Sequence, residues 1–359
     1  MTSPPPLLDV RSPGEYTKGH WPGALSLPLF DNAERAEVGT LYKQDSPDSA
    51  FLRGLEMVGK KMRWYVEEAR RLAPNQEVAI HCWRGGQRSQ SMGWLLGKTF
   101  SDVQVIAGGY KALRKAGREA LKQFSRPILV LSGPTGSGKT KILQALKGLG
   151  ETVVDLEGIA SHKGSAFGAL GEDQQPTVEH FENLLFHHFL QLTPLDTNPV
   201  WLEDESQSIG RVYLPAELWQ HIASAPLVVL DLPVEWRIDN LVEDYASYPV
   251  EELKEAFGRI RKRLGGQHLQ AALAALDQQD YAAAAAIALR YYDKAYMLSQ
   301  QKHQRQVALR LRPETNDPRK IAVQLREWCQ SYYALPSIER TIKLRRNKTD
   351  TIPVVAPLF

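Results

Sequence analysis

The chain has 359 residues, 43% of them apolar and 24% charged, and carries a net charge of +3. That is enough for two or three domains, each with its own core, and too little charge to require a polyanion partner. The two cysteines, Cys82 and Cys329, stand far apart with no metal-ligand spacing, which argues against a disulfide framework or a zinc site and for a reducing compartment. Residues 1–6 show no basic region followed by a long apolar run, so no signal peptide is expected. No apolar stretch approaches the roughly 20 residues that span a bilayer. The expected location is the cytoplasm, with no membrane partner.

Through residue 125, short apolar runs alternate with amphipathic stretches. Residues 7–10 read as a strand ending in Asp9-Val10-Arg11, and residues 77–81 as a second that leads straight into Cys82. A helix is expected from Ser89, with Met92, Leu95 and Leu96 on one face, and then a strand at 103–106 closed by Gly108-Gly109. This alternation predicts a parallel sheet covered by helices on both faces. Residues 110–126 carry six basic side chains against Glu119 and read as a helical linker with a basic face.

A second α/β unit begins at Pro127. A buried strand at 128–131, a glycine loop and a helix at 141–149 follow in order, the helix stopped by Gly148 and Gly150. Further strands are expected at 152–156, 200–202 and 227–230. Beyond about residue 250 the pattern turns helical, and residues 271–297 are alanine-rich and free of Pro and Gly. The expected fold is therefore α/β, divided into units at 1–125, 126–250 and a helical, basic region at 251–359.

Two loops carry the chemistry. In His81-Cys82-Trp83-Arg84-Gly85-Gly86-Gln87-Arg88-Ser89, a cysteine follows a buried strand and opens a glycine-containing turn before a helix. Backbone N–H groups, the helix N-terminus and Arg84 or Arg88 are expected to lower the thiol pKa and to stabilise an anion on sulfur. Gly85 and Gly86 let the chain curl with no side chain in the bowl. The second loop, Gly133-Pro134-Thr135-Gly136-Ser137-Gly138-Lys139-Thr140, fits the phosphate-binding pattern at every fixed position and has the required strand before it and helix after it. Its amides and Lys139 would hold phosphate oxygens, and Thr140 a Mg²⁺ ion. Both a nucleoside triphosphate and a diphosphate ester fit such a cradle.

Acidic partners for a metal are expected in Glu203-Asp204-Glu205 or at Asp231, each at the end of a buried strand. Asp155, His162, Lys163 and Ser165 fall in a polar, glycine-rich segment read as lining the substrate near the phosphates. Basic side chains gather in three places: Arg114, Lys115 and Arg118; Arg259, Arg261, Lys262 and Arg263; and residues 340–348, including Arg345 and Arg346. Together they suggest a polyanion surface for which RNA is a candidate.

Asp9-Val10-Arg11, Glu15, Gly19-His20-Trp21-Pro22-Gly23-Ala24, the Cys82 loop and Ala107-Gly108-Gly109-Tyr110 follow in the order of the rhodanese signatures. That resemblance implies a loop cysteine that carries sulfur or selenium. The spacing His81-Cys82-x5-Arg88 also fits cysteine phosphatases, whose loop is one residue longer than that of simple sulfurtransferases, although no general-acid aspartate is evident beside Cys82. A rhodanese unit ahead of a phosphate-loop unit, together with Val38-Gly39-Thr40-Leu41-Tyr42-Lys43-Gln44, His162-Lys163-Gly164-Ser165 and Glu203-Asp204-Glu205-Ser206, resembles the tRNA 2-selenouridine synthase family over nearly the whole chain.

The resemblance implies a reaction on the wobble 2-thiouridine of tRNA. Geranyl diphosphate first alkylates the sulfur, and selenophosphate then supplies the selenium that displaces the geranylthio group. No tightly bound cofactor is expected, Mg²⁺ fits the phosphate loop, and a selenophosphate-producing enzyme is an expected partner. Lys139 and the loop amides would hold the diphosphate, and Cys82 would carry selenium with Arg84, Arg88, Gly85, Gly86 and Gln87 around it. Two alternatives stay open at this point: an ATP-dependent tRNA sulfurtransferase, and a non-catalytic tRNA-binding selenium carrier.

Overall fold

The computed structural model describes residues 4–192, 196–303 and 305–334; Arg345 and Arg346 lie outside them. The chain forms two compact units, Met1–Phe124 with Pro176–Leu192, and Ser125–Gln175 with Thr193–Phe359. Both are α/β.

In the first unit, strands β1 (Leu7–Asp9), β2 (Leu25–Ser26), β3 (Glu77–His81) and β4 (Asp102–Val105) form a parallel sheet in the order β2-β1-β3-β4. Its core closes over Leu8, Ile80, Tyr65, Met92 and Leu96. The helix expected from Ser89 starts at Gln87, because Gly86 already takes the extended N-cap conformation.

The basic stretch after Gly108 is not a linker. It is the helix Gly109–Lys122, which buries Tyr110, Gly117 and Leu121 within this unit. Its partner is the helix Val178–Gln191, which the sequence places among the phosphate-loop elements. Phe181, Leu185, Phe186 and Phe189 give that helix an apolar stripe at helical spacing, and all four are buried. Gly117 admits the stripe: a Cβ there would stand 2.4 Å from the Phe186 Cβ.

In the second unit, β5 (Ile128–Ser132), β6 (Thr152–Val153), β7 (Val200–Glu203), β10 (Leu227–Leu230) and β11 (Val307–Leu311) are all parallel, in the order β11-β10-β5-β7-β6. A small hairpin, β8 (Ser208–Ile209) with β9 (Val212–Tyr213), is antiparallel. The last third of the chain is thus not a separate helical region. β11 completes the sheet edge, and the helix Pro318–Ala334 packs Ile321, Leu325 and Cys329 into the core beside Ile142 and Leu146 of the helix Lys139–Gly148.

The alanine-rich stretch is two helices, Gly266–Asp277 and Tyr281–His303, separated where Gln279 adopts φ +57°. With the helix Val250–Arg259 they enclose a second apolar core around Phe167 and Phe257.

Gly117→Val in the full chain tests the docking of the helix Val178–Gln191. Overpacking of this kind costs about 1–3 kcal/mol, so thermal unfolding should shift to lower temperature while the phosphate-loop unit keeps its ligand binding.

Candidate active sites

The cysteine loop is built where β3 ends. Between His81 and the helix at Gln87, the chain turns around Cys82, with Gly85 at φ +68°, a region that favours glycine. Gly86 does not share that conformation; its φ of −92° is open to any residue, and its place is the helix cap. A second glycine pair holds the turn from behind. A Cβ on Gly109 would lie 2.4 Å from the Cys82 carbonyl oxygen and 2.5 Å from the Gly85 nitrogen. The Tyr110 N–H donates to that same carbonyl at 2.9 Å. Among the described residues, the N–H groups of Trp83 to Gly86 bond to no carbonyl or side-chain oxygen, and that of Arg84 faces the sulfur.

Burial pushes the Cys82 thiol up, but the Ser89 hydroxyl, the N–H groups of Ser89 and Arg84, and the charge on Arg88 outweigh it and hold the thiol below its ordinary value. Ser89 Oγ donates to Sγ at 3.3 Å. Arg88 is fixed by Glu15 through bonds of 2.6 and 3.2 Å. Burial raises the Glu15 carboxyl, yet Arg88, the Ser12 N–H and Arg35 together bring it below the usual carboxylate range. Arg84 contributes its backbone, since its side chain is exposed, as is that of Gln87. The Asp9-Val10-Arg11 motif is a buried ion pair of 2.6 Å, with the Arg11 guanidinium 3.7 Å over the Tyr110 ring. His81 is buried beside it, and burial lowers its pKa, so the imidazole is neutral.

Beside the loop lies a cavity of about 290 Å³ lined by Arg11, Lys18, Arg35, Trp83 and Arg88, with Glu15 and Glu179. Lys18 and Arg35 were not legible as site residues. They sit on the helices Pro13–Lys18 and Asn32–Gln44, where the motif residues, Glu15 and residues 38–44, do not include them.

In the second unit the phosphate loop runs from the end of β5 into the helix Lys139–Gly148. Gly136 (φ +82°) and Gly138 (φ +68°) need glycine's freedom. A Cβ on Gly136 would stand 2.6 Å from the Arg237 carbonyl oxygen. Arg237 donates to the Thr135 carbonyl at 2.8 Å and pairs with Asp293, while Asn240 donates to the Gly136 carbonyl at 2.8 Å. These two clamps come from the helix Val234–Tyr245, and no local pattern announced them. Ser137 donates to the Pro134 carbonyl at 2.6 Å, Lys139 to the Gly133 carbonyl at 2.9 Å, and Thr140 to Glu157 at 3.1 Å. The loop faces a cavity of about 940 Å³ whose walls include Glu157, Lys163, Ser165, Glu205 and Tyr292.

The acids sort differently from expectation. Glu203 is buried and accepts the Leu156 N–H at 3.0 Å, and burial and the charge on Asp155 push its carboxyl well above the usual range. Asp204 is paired with Arg305 at 2.6 Å. Asp231 is paired with Arg312 at 2.6 Å. Among the described residues, no cluster of three or more His, Cys, Asp or Glu is arranged to hold a metal ion. Asp155 is a helix cap, accepting the Gly158 N–H at 2.7 Å. His162 accepts the Gly164 N–H at 3.1 Å, whereas Lys163 and Ser165 do line the cavity.

Four acids line the phosphate cavity, Glu157, Asp204, Glu205 and Asp244; Asp204 pairs with Arg305 and Asp244 with Lys141, which sets Glu157 and Glu205 apart. Burial pushes Glu157 up against the opposing charge of Lys139, and burial together with the Glu157 charge pushes Glu205 up to about 8. Two carboxylates so placed share a proton near neutral pH.

The expected basic surfaces also divide. Arg114 is tied to Glu182, to Asn183 at 2.7 Å and to the Glu179 carbonyl at 2.9 Å, so it holds the helix Val178–Gln191. Lys115 and Arg118 are exposed on the same helix as Arg114. Arg259, Lys262 and Arg263 line a cleft of about 470 Å³ with Tyr291, and it shares Gly164, Ser165 and Tyr292 with the phosphate cavity. Arg261 is exposed but does not line the cleft.

Comparison with known proteins agrees with this pairing of loops. Residues 1–116 match the Rhodanese-like domain model, and residues 126–322 match the tRNA 2-selenouridine synthase AAA domain model. The tRNA 2-selenouridine synthase of Nitrosomonas eutropha is 38% identical over 71% of this chain and 67% of its own length. Those of Cronobacter sakazakii and Marinobacter nauticus are 36% and 34% identical over 85% and 91% of this chain, and over 89% and 94% of their own. The chain belongs to the tRNA 2-selenouridine synthase family. The family's second domain model runs past residue 250 through β11, in keeping with a sheet that draws its edge strand from the last third of the chain.

Ser89→Ala should raise the Cys82 pKa. Alkylation of the intact protein by iodoacetamide, followed by peptide mass spectrometry across pH, would show the Cys82 profile moved to higher pH. Cys329, pushed up to about 12 mainly by burial, provides the unreactive control.

Proposed function

We propose that this protein converts wobble 2-thiouridine in tRNA to 2-selenouridine through an S-geranyl intermediate, with geranyl diphosphate and selenophosphate as co-substrates in the cytoplasm. One observation carries the choice of a prenyl diphosphate over a nucleotide. A slot with an almost wholly apolar lining opens beside the phosphate loop, walled by Phe167, Leu276, Ala284 and Ala288, and it shares Thr135, Ser165, Leu241, Tyr245 and Tyr292 with the phosphate cavity. A nucleotide needs polar groups for base and ribose, whereas a prenyl chain needs hydrocarbon walls next to its diphosphate. The slot is about 60 Å³ as it stands, so an entering chain must part its side chains.

In this reading the amides of residues 135–140 and Lys139 stabilise the departing diphosphate. Thr140 would hold Mg²⁺ against it, a hard cation that takes one or two protein oxygens plus phosphate oxygens. Attack by the thiocarbonyl sulfur on the allylic carbon leaves C2 doubly bonded to N3, so the N3 proton must go to a base. The Glu157–Glu205 pair is the acceptor on this wall of the cavity. Arg259, Lys262 and Arg263 would take the tRNA phosphates, with Tyr291 offered to a base. In the second step selenium adds at C2 and geranylthiolate leaves; the Cys82 loop handles the selenium donor, supplied by a selenophosphate-producing enzyme.

The test is mass spectrometry of tRNA nucleosides after incubation with purified protein, leaving out one component at a time. S-geranyl-2-thiouridine should form with geranyl diphosphate alone and become 2-selenouridine when selenophosphate is added, without ATP. Lys139→Ala should lose alkylation by about a hundredfold or more, the scale of one preorganised electrostatic contact. Cys82→Ser should alkylate normally and fail to insert selenium. A requirement for ATP would replace this reading with an ATP-driven sulfurtransferase.

A second expectation concerns pH. The base must be ionised to accept the N3 proton, so the alkylation rate should rise as pH climbs through about 8. Glu205→Gln should flatten that profile and slow alkylation by about 10²-fold, the lower range for a lost general base. Stability runs the other way. Between the ordinary carboxylate range and about 8 the folded chain holds a proton that the unfolded chain does not, so this contribution to stability is lost as pH rises through about 8. Glu205→Gln should therefore melt at a higher temperature than the parent at alkaline pH and lose that advantage in acid.

A further inference from the structure

We propose that Cys82 attacks phosphorus, not selenium: the cysteine loop is a phosphoryl acceptor that frees selenium as hydrogen selenide by passing through an S-phosphocysteine. The inference rests on selenophosphate being the donor, and it goes beyond that reading by assigning the bond that the thiolate makes.

Electron balance is the first argument. In selenophosphate, selenium is already at the selenide level and phosphorus is fully oxidised. A perselenide on Cys82 would require the electron pair of the P–Se bond to leave with phosphorus, giving phosphite, or an outside oxidant. Attack at phosphorus needs neither. The Sγ–P bond forms, the P–Se bond of the hydrogen selenophosphate dianion breaks, and its electron pair leaves on selenium as the hydroselenide anion, which keeps the proton that selenium already carried. Water then attacks phosphorus, releasing inorganic phosphate and a proton and returning the thiolate. Hydrogen selenide carries the oxidation level that C2 of the S-geranyl base requires, and geranylthiolate departs with no net redox change.

Geometry is the second. The interval from Cys82 to Arg88 has five residues between thiol and arginine, and the turn leaves the N–H groups of Trp83 to Gly86 free of carbonyl or side-chain partners among the described residues. Such a ring of N–H groups fits the oxygens of a phosphoryl group better than a single selenium atom. Glu15 grips Arg88 through both Nη atoms and so fixes its guanidinium at the loop's end. Lys18 and Arg35 add cationic charge to the adjoining cavity, suited to a phosphate dianion.

Ser89 is placed for the second half of the cycle. Its hydroxyl, 3.3 Å from Sγ, supports the sulfur as a thiolate leaving group when water attacks. The missing aspartate is then explained. The hydroselenide anion is a weak base and needs no further proton to leave, so the first half-reaction needs no general acid.

The experiment uses selenophosphate carrying radiolabelled phosphorus. The full-length protein is quenched during turnover and Cys82 peptides are examined for radioactivity and for the selenium isotope pattern. The isotope pattern is essential, because the phosphoryl and selenium adducts have the same nominal mass. Label on Cys82 without selenium, absent in Cys82→Ser and persisting about tenfold longer in Ser89→Ala, is the expected result. Tenfold is the scale of one lost hydrogen bond to a charged group. Selenium on Cys82 without phosphorus would overturn the proposal. So would conversion of S-geranyl tRNA to selenouridine with neither adduct, which would leave the broader function standing. Failure of the wild-type protein to use selenophosphate at all would remove both.

Discussion

Backbone N–H groups can stabilise an anion only where the chain curls so that several point to one spot, and such a curl leaves the backbone without its usual partners. Something else must hold it. In this protein each unit answers the problem with a close backbone contact that a side chain would forbid. Gly109 sits where a Cβ would strike the Cys82 carbonyl, and Gly136 where one would strike Arg237. The remaining supports follow from these contacts. Tyr110 reaches the Cys82 carbonyl because Gly109 admits its helix, and Arg237 and Asn240 reach the phosphate loop because Gly136 admits theirs.

Charge is arranged around the two curls in opposite ways. The cations beside the cysteine loop are held by carboxylates, Arg11 by Asp9 and Arg88 by Glu15. An incoming dianion therefore meets oriented guanidinium groups instead of mobile ones. The phosphate loop instead faces two carboxylates that burial has deprived of their full charge. A fully ionised pair there would repel a diphosphate. A pair sharing one proton tolerates it and still offers a base to a reaction that must shed a proton.

Much of this was legible in the sequence because the loops are local. Glu77–His81 and Leu227–Leu230 coincide with their expected strands, and the cysteine and phosphate loops sit where strand, turn and helix signals place them. What escaped depends on distant packing. The helix Val178–Gln191 joins the first unit because its Phe stripe needs the groove at Gly117, a fact spread over two segments far apart in the chain. β11 alternates only weakly and was hidden by the helical tenor of its surroundings. Glu203 and Asp204 looked like metal ligands because they end a buried strand, but one caps a helix and the other meets an arginine about a hundred residues away. A strand-end position shows that a carboxylate is near a site and says nothing of its partner.

In the proposed reaction, alkylating a thiocarbonyl sulfur and replacing it with selenium make different demands on a site. The first needs a cradle for a leaving diphosphate next to hydrocarbon walls, and the slot bounded by Tyr245 and Tyr292 supplies both. The second, as proposed, needs oriented cations near a soft nucleophile, and Arg11, Lys18, Arg35 and Arg88 line the cavity beside Cys82. The two cradles stand in separate units, and under the proposed reaction the tRNA base is the component that must meet each in turn.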